Sequence, residues 1–130
     1  MTLYDSSVLI DYLAGRDAAV EYVELHADER AVAPPLVLFE VYQGEVFKTG
    51  ETDLDAIDEA LTWIDVIEMS AASARAAATL QDELRATGEP LAARDAYIAG
   101  VAALRGERLA VADADFDVDG ITDRLIVDFV

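Results

Sequence analysis

The sequence predicts an α/β fold with a mostly parallel central sheet flanked by helices, and three observations point there. Short apolar segments recur along the chain, among them Met1–Tyr4, Ala31–Ala33 and Leu109–Ala112. Longer helix-patterned segments lie between them, as a parallel crossover requires and a hairpin does not. The length of 130 residues, 54% of them hydrophobic, suits one core and therefore a single domain over 1–130.

Each element has a local reason. Met1–Tyr4 opens as a strand, Ser6 or Ser7 caps a helix carrying Val8, Leu9, Ile10, Tyr12 and Leu13, and Gly15 stops it. From Asp17 to Ala27 a helix places Val20, Val23 and Ala27 on one face. Ala31–Ala33 is the next strand. Pro34 and Pro35 suit a helix start, and the chain through Phe47 is apolar around most of its circumference until Gly50, which predicts heavy burial. A helix over Asp53–Ile64 leads to a strand over Val66–Met69. Ser70 caps an alanine-rich helix ending near Gly88, and Pro90 breaks the chain. Ala93–Leu104 is helical, Gly106 leads to the strand Leu109–Ala112, and Leu125–Val130 is the last strand.

Composition excludes several chemistries. No apolar run approaches the roughly 18 residues of a membrane span and no signal-type segment opens the chain, so a soluble cytoplasmic protein is expected. The absence of cysteine removes thiolate nucleophiles, disulfides and cysteine-ligated zinc. His26 is the only histidine, which rules out a two-histidine ribonuclease; it reads as a residue at the end of an amphipathic surface helix. Neither a GxSxG elbow nor a Walker-type phosphate loop is present.

Net charge is −18, from 27 acids against 9 basic residues of which Lys48 is the only lysine. The acids are spread through almost every segment, a pattern expected of a halophilic protein in a salt-rich cytoplasm, where the Debye length falls to about 3 Å at 1 M. Such a charge says little about whether the partner is a polyanion.

Four acids stand apart from that background by their placement. Asp5 ends the first apolar run, Glu40 interrupts PPLVLFEVY, Asp95 opens an apolar helix, and Asp113 ends LAVA. Singly, Asp5 reads equally well as a helix N-cap, Asp95 as a partner of a helix dipole, and Asp113 as a turn residue. Together they gather near the carboxyl ends of strands, where ligands of open α/β sheets collect. Asp95 shares its helical face with Ile98, Ala99 and Ala102 and therefore points toward protein. Converging carboxylates repel unless protonated or bridged, and Mg²⁺ or Mn²⁺ is the bridge that oxygen ligands select. Such an ion activates water and neutralises a phosphodiester, so phosphodiester hydrolysis is the expected chemistry.

Two motifs in DADFDVDGIT mislead. Asp115, Asp117, Asp119 and Gly120 imitate a calcium loop, but Ile126 stands where its bidentate acid belongs. Asp117-Val118-Asp119-Gly120 imitates an aspartyl-phosphate motif with too little chain after it.

LYDSSVLIDYL, the buried-helix Glu40, RDAYIAGVAALRG and LAVADADFD, in that order, resemble a PIN-domain nuclease, specifically the ribonuclease toxin of a VapBC-type toxin–antitoxin pair. The resemblance covers essentially the whole chain. It implies a Mg²⁺-dependent endoribonuclease with Asp5, Glu40, Asp95 and Asp113 as its acidic cluster, Asp5 and Asp95 being the principal metal ligands. It further implies a hydrogen bond from Ser7 to Asp5, a homodimer, an RNA substrate, and a VapB-like antitoxin whose basic segment enters the cleft. Val111 stands where relatives often carry Thr or Ser, and Arg94 stands where many carry a neutral or acidic residue. A catalytically idle PIN scaffold that binds a partner, and a structure-specific DNA nuclease, are the alternatives.

Overall fold

A computed structural model describes every residue, Met1–Val130. Strands β1 (Thr2–Tyr4), β2 (Ala31–Ala33), β3 (Ile64–Val66), β4 (Arg108–Val111) and β5 (Val127–Phe129) form one sheet in the order β3-β2-β1-β4-β5. Every pairing is parallel, with Leu3 opposite Val32 on one side and Leu109 on the other. Helices α1 (Ser6–Leu13), α2 (Asp17–Leu25), α3 (Pro35–Phe47), α4 (Leu54–Ala60), α5 (Ala71–Ala86) and α6 (Ala93–Arg105) flank it.

The three inner strands are buried along nearly their whole length, because neighbours cover both edges and helices cover the faces. Leu3, Val32, Leu109 and Val111 are fully buried, while the edge strands β3 and β5 keep exposed positions. Truncating Leu3 to Ala at the sheet centre costs about 2–5 kcal/mol.

From β1 the chain runs to β2 and β3 on one side; α5 and α6 then return it to the opposite side of β1, where β4 pairs. The strand order therefore reverses between β1 and β4, which is where an open α/β sheet leaves a crevice at its carboxyl edge. α6, the helix bearing Asp95, packs closely on α5 through Gly100. A Cβ there would stand 2.3 Å from the Ala77 Cα, so only glycine permits this approach.

Two sequence expectations are corrected. The helix expected over Asp53–Ile64 ends at Ala60, and the strand expected at Val66–Met69 is Ile64–Val66. The cause is a tight turn in which Leu61 is buried and the Trp63 indole donates to the Ala60 carbonyl at 3.0 Å, placing Ile64 opposite Ala31. The heavy burial expected of α3 does not occur: only Val37 and Val41 are buried, and Phe39 and Phe47 are 58% and 79% exposed. Leu36 and Leu38 pack against the core while only partly buried, and the face carrying Phe39 and Phe47 is left to solvent.

Candidate metal centre

The crevice between β1 and β4 begins with Asp5, the residue after β1. Its backbone N–H donates to the Ala110 carbonyl at 3.0 Å, which ties it to β4. Its side chain caps α1, Oδ2 accepting from the Ser7 N–H at 3.1 Å and the Ser7 hydroxyl at 2.5 Å. The Ser7 hydroxyl oxygen in turn accepts from the Ala112 N–H at 2.9 Å. Asp5 is thus both a cap and a wall of the crevice, and Ser7 locks the ends of two strands around it. The cap reading and the site reading are the same geometry.

The other three acids arrive from separate elements. Asp95 lies in the first turn of α6 and is 6% exposed; Ile98, Ala99 and Ala102 on its face are buried, as the spacing predicted. Glu40 projects half-buried from α3. Asp113 follows β4 and caps a short 3₁₀ turn, accepting from the Asp115 N–H at 2.9 Å. All four line one cleft of about 380 Å³ together with Arg94 and Asp115. A larger cleft of about 490 Å³ over α5 and α6 has a mostly apolar wall and no comparable gathering of acids.

Arg94 is the residue that organises one half of the cleft. Its Nε donates to Glu40 Oε2 at 2.6 Å, Nη1 to Asp95 Oδ1 at 2.6 Å, and Nη2 to Asp5 Oδ1 and the Ser6 hydroxyl at 2.8 Å each. A further short contact joins Nη2 to Glu40 Oε1, so the Glu40 carboxylate is gripped in a fork. Burial opposes the charge on Arg94, but the hydrogen bond to Glu40, the charge of Asp5 and the hydrogen bonds to Asp95 and Asp5 outweigh it and push its pKa up. The guanidinium is permanently charged.

The other half of the cleft is open. Asp95, Asp113 and Asp115 bring carboxylate oxygens within 4.8 Å of one another. Burial pushes the Asp95 carboxyl up; the hydrogen bond and charge of Arg94 pull it back, and the charges of Asp5 and Asp113 push it up again, leaving it raised. A raised acid among acids is one that a divalent cation would relieve. The donor set is all oxygen, without nitrogen or sulfur, and so suits Mg²⁺ or Mn²⁺ rather than a softer ion.

Sequence reasoning missed the roles of two residues. Asp115 was read as part of a calcium-loop imitation, whereas its spacing from Asp113 across a single 3₁₀ turn brings both carboxylates to the cleft. Arg94 was read as a departure from a motif rather than as a partner of three acids. The signal was its adjacency to Asp95 in a chain with only 9 cations. His26 plays no part here: its Nδ1 lies 2.8 Å from the Tyr22 carbonyl and its ring stacks on Tyr22 in a different cavity.

A parallel sheet whose strand order reverses at an acid-lined crevice defines an α/β domain with an all-oxygen set of side chains at its carboxyl edge. Within that class the chain belongs to the PIN domain family, whose model matches residues 2–119. PIN domains are nucleases that use divalent metals. Among solved structures, the chain is similar to VapBC2 from Rickettsia felis bound to a DNA fragment from their promoter, at 18% identity over 99% of this chain and 98% of that one, with a TM-score of 0.81. It is also similar to FitAcB from Neisseria gonorrhoeae, at 19% identity over 100% and 97% of the two chains with a TM-score of 0.81. A toxin–antitoxin complex from Klebsiella pneumoniae matches at 23% identity over 98% and 96%, with a TM-score of 0.77. At these identities the likeness is one of fold. No curated protein matches the chain. No helix is long and apolar enough to cross a membrane.

Proposed function

We propose that this PIN domain is a Mg²⁺-dependent endoribonuclease, the VapC-type toxin of a type II toxin–antitoxin pair, active in a salt-rich cytoplasm. The observation that carries the reading is the convergence of Asp5, Glu40, Asp95 and Asp113 from four separate elements on one cleft at the strand-order reversal. The similar structure from Klebsiella pneumoniae, named as a toxin–antitoxin complex, supports the toxin role.

In this reading Asp5 and Asp95 are the principal metal ligands, and Glu40 and Asp113 complete the acidic set with Asp115 beside them. The bound ion supplies a water of lowered pKa and a counter-charge for the phosphodiester. Ser7 holds the Asp5 carboxylate in orientation through its 2.5 Å hydrogen bond. Arg94 offers a planar fork that matches phosphate as well as carboxylate. The partner is a small VapB-like antitoxin with an arginine-bearing segment, since a guanidinium complements the open acids, and the toxin is a homodimer.

Purified protein should cleave single-stranded or loop RNA in Mg²⁺ or Mn²⁺ and stop when EDTA removes the ion. The products should carry a 5′-phosphate and a 3′-hydroxyl, because water attacks rather than the ribose. A 2′,3′-cyclic phosphate would sink the mechanism, and cleavage of DNA alone would redirect it to a DNA nuclease. The grip of Arg94 on Asp5, Glu40 and Asp95 favours one second reading, a catalytically idle scaffold, which metal-dependent turnover excludes.

A further inference from the structure

We propose that Arg94 is a resident cation that competes with the divalent ion for Asp5, Glu40 and Asp95, so that metal loading of this cleft requires the guanidinium to withdraw. The inference rests on the metal-dependent reading above and concerns how the site is regulated.

The geometry fits a competitor better than a bystander. All three guanidinium nitrogens are engaged, on three carboxylates belonging to three elements, with donor–acceptor distances of 2.6–2.8 Å for the contacts through Nε, Nη1 and the Asp5 side of Nη2. In the metal-dependent reading Asp5 and Asp95 are the principal ligands, and a carboxylate oxygen given to an N–H is a poorer metal donor. Asp5 illustrates the conflict: Oδ1 is committed to Arg94 and Oδ2 to Ser7. Asp113 and Asp115 form no ion pair with Arg94, so an arriving cation meets Asp95, Asp113 and Asp115 first and reaches Asp5 only when Arg94 yields.

Withdrawal is sterically open. The Arg94 side chain is 28% exposed, on the wall of the same cleft, whereas the Asp5 side chain beneath it is 1% exposed. A guanidinium released by the ion remains beside the place where a phosphodiester would approach. The resident cation thus has two positions of use: on the acids in the metal-free chain, and facing phosphate in the loaded one.

The test is Mn²⁺ affinity of the full chain, measured by calorimetry and by electron paramagnetic resonance of the free ion, for wild type, Arg94→Gln and Arg94→Lys. Removing a competitor tightens binding: Arg94→Gln should bind Mn²⁺ on the order of tenfold more tightly, and Arg94→Lys, whose ammonium lacks the fork, should fall between it and wild type. In wild type, the Arg94 Nε–H signal in nitrogen-edited NMR should lose its protection from exchange when Mg²⁺ is added. Equal or weaker affinity in both variants overturns the proposal, as does an Nε–H signal unchanged at saturating Mg²⁺. If Arg94→Gln does not fold, Arg94→Lys decides alone: affinity no tighter than wild type rejects the competition. Absence of Mn²⁺ binding in every form overturns this inference and the metal reading together. Tighter binding without RNA cleavage leaves the competition standing and removes only the nuclease assignment.

Discussion

The two halves of the acidic cleft contain the same kind of side chain in opposite circumstances. On one side Asp5 and Glu40, with Asp95 shared between the halves, share Arg94 as an internal counter-charge; on the other Asp113 and Asp115 carry no such partner. Burial differs most between Asp5 and Asp115. Asp5 is almost fully buried among donors, whereas Asp115 is exposed. A deeply placed carboxylate must bring its compensation with it, because the desolvation it suffers is present whether or not a ligand arrives. An exposed one can wait for an ion from solution. The held half therefore has a structural role whatever binds there, whereas the open half has none that the fold requires.

Paired substitutions across the divide test this difference, beginning with the largest effect. Asp5→Asn should abolish most RNA cleavage, with a loss exceeding the roughly 10–100-fold typical when a group that merely orients a metal ligand is removed. It should also destabilise the fold by about 1–3 kcal/mol in urea unfolding, since both Asp5 oxygens accept hydrogen bonds and the amide nitrogen of Asn would face either the Arg94 or the Ser7 donors. Asp115→Asn should lower cleavage by about 10–100-fold with no loss of stability. Equal destabilisation by both changes would erase the distinction between the halves.

Ser7→Ala addresses the held half from behind. The hydroxyl donates to Asp5 and accepts from the Ala112 N–H, so its removal leaves a backbone donor near the strand end without its partner. A cost of about 1–3 kcal/mol is expected, together with about 10-fold slower cleavage as Asp5 loses its orientation. Full activity in this variant would show that the backbone of α1 suffices to hold the carboxylate.

How much of this was legible follows the same divide. The parallel α/β architecture could be read because short apolar strands alternating with helical patterns leave a local mark, and the shared cleft of Asp5, Glu40, Asp95 and Asp113 was anticipated from acids set beside apolar segments. The bond from Ser7 to Asp5 was implied by the resemblance of the opening segment to the family's first motif, and the two residues lie only two positions apart. The fork of Arg94 was not: it joins residues 54 and 89 positions away, and nothing local distinguishes an arginine that pairs across the fold from one in solvent. The strand Ile64–Val66 was misplaced because the turn at Leu61 and Trp63 is closed by tertiary burial, not by a Gly or Pro signal. The exposure of α3 escaped for a related reason: an apolar circumference does not say how many sides the fold will cover.

Asp95 belongs to both halves, and the sign of its effect reports which dominates. Asn keeps an acceptor for Arg94 while removing one of several crowded charges, so metal-free Asp95→Asn should be at least as stable as wild type. Its carboxyl is raised in the folded chain, so the folded form holds that proton more tightly than the unfolded one. The stability this group contributes is therefore present below its unfolded pKa and lost as pH rises through the folded value. Asp95→Asn should remove that slope from the acid limb of the stability profile. Mg²⁺ should stabilise wild type more than the variant, by about 2.7 kcal/mol at a hundred times the dissociation constant if the variant does not bind. A variant destabilised at neutral pH yet fully active would identify Asp95 as a structural acid.

Salt gives the smallest and most selective effect. With a net charge of −18, stability should rise from low salt to molar KCl, where a Debye length near 3 Å screens exposed charges. Within the cleft the screening should act unevenly. The open half gains, because Asp115 is exposed and repelled by Asp95 and Asp113, whereas the buried contacts of Arg94 with Asp5 change little. Asp115→Asn should therefore raise the metal-free midpoint of thermal unfolding at low salt and lose that advantage in molar KCl; the deficit of Asp5→Asn should persist at both. Thermal unfolding of the two variants across a KCl series in EDTA measures the contrast. A parallel salt response would mean that the two halves share one electrostatic environment, and the division of the cleft into held and open carboxylates would fail.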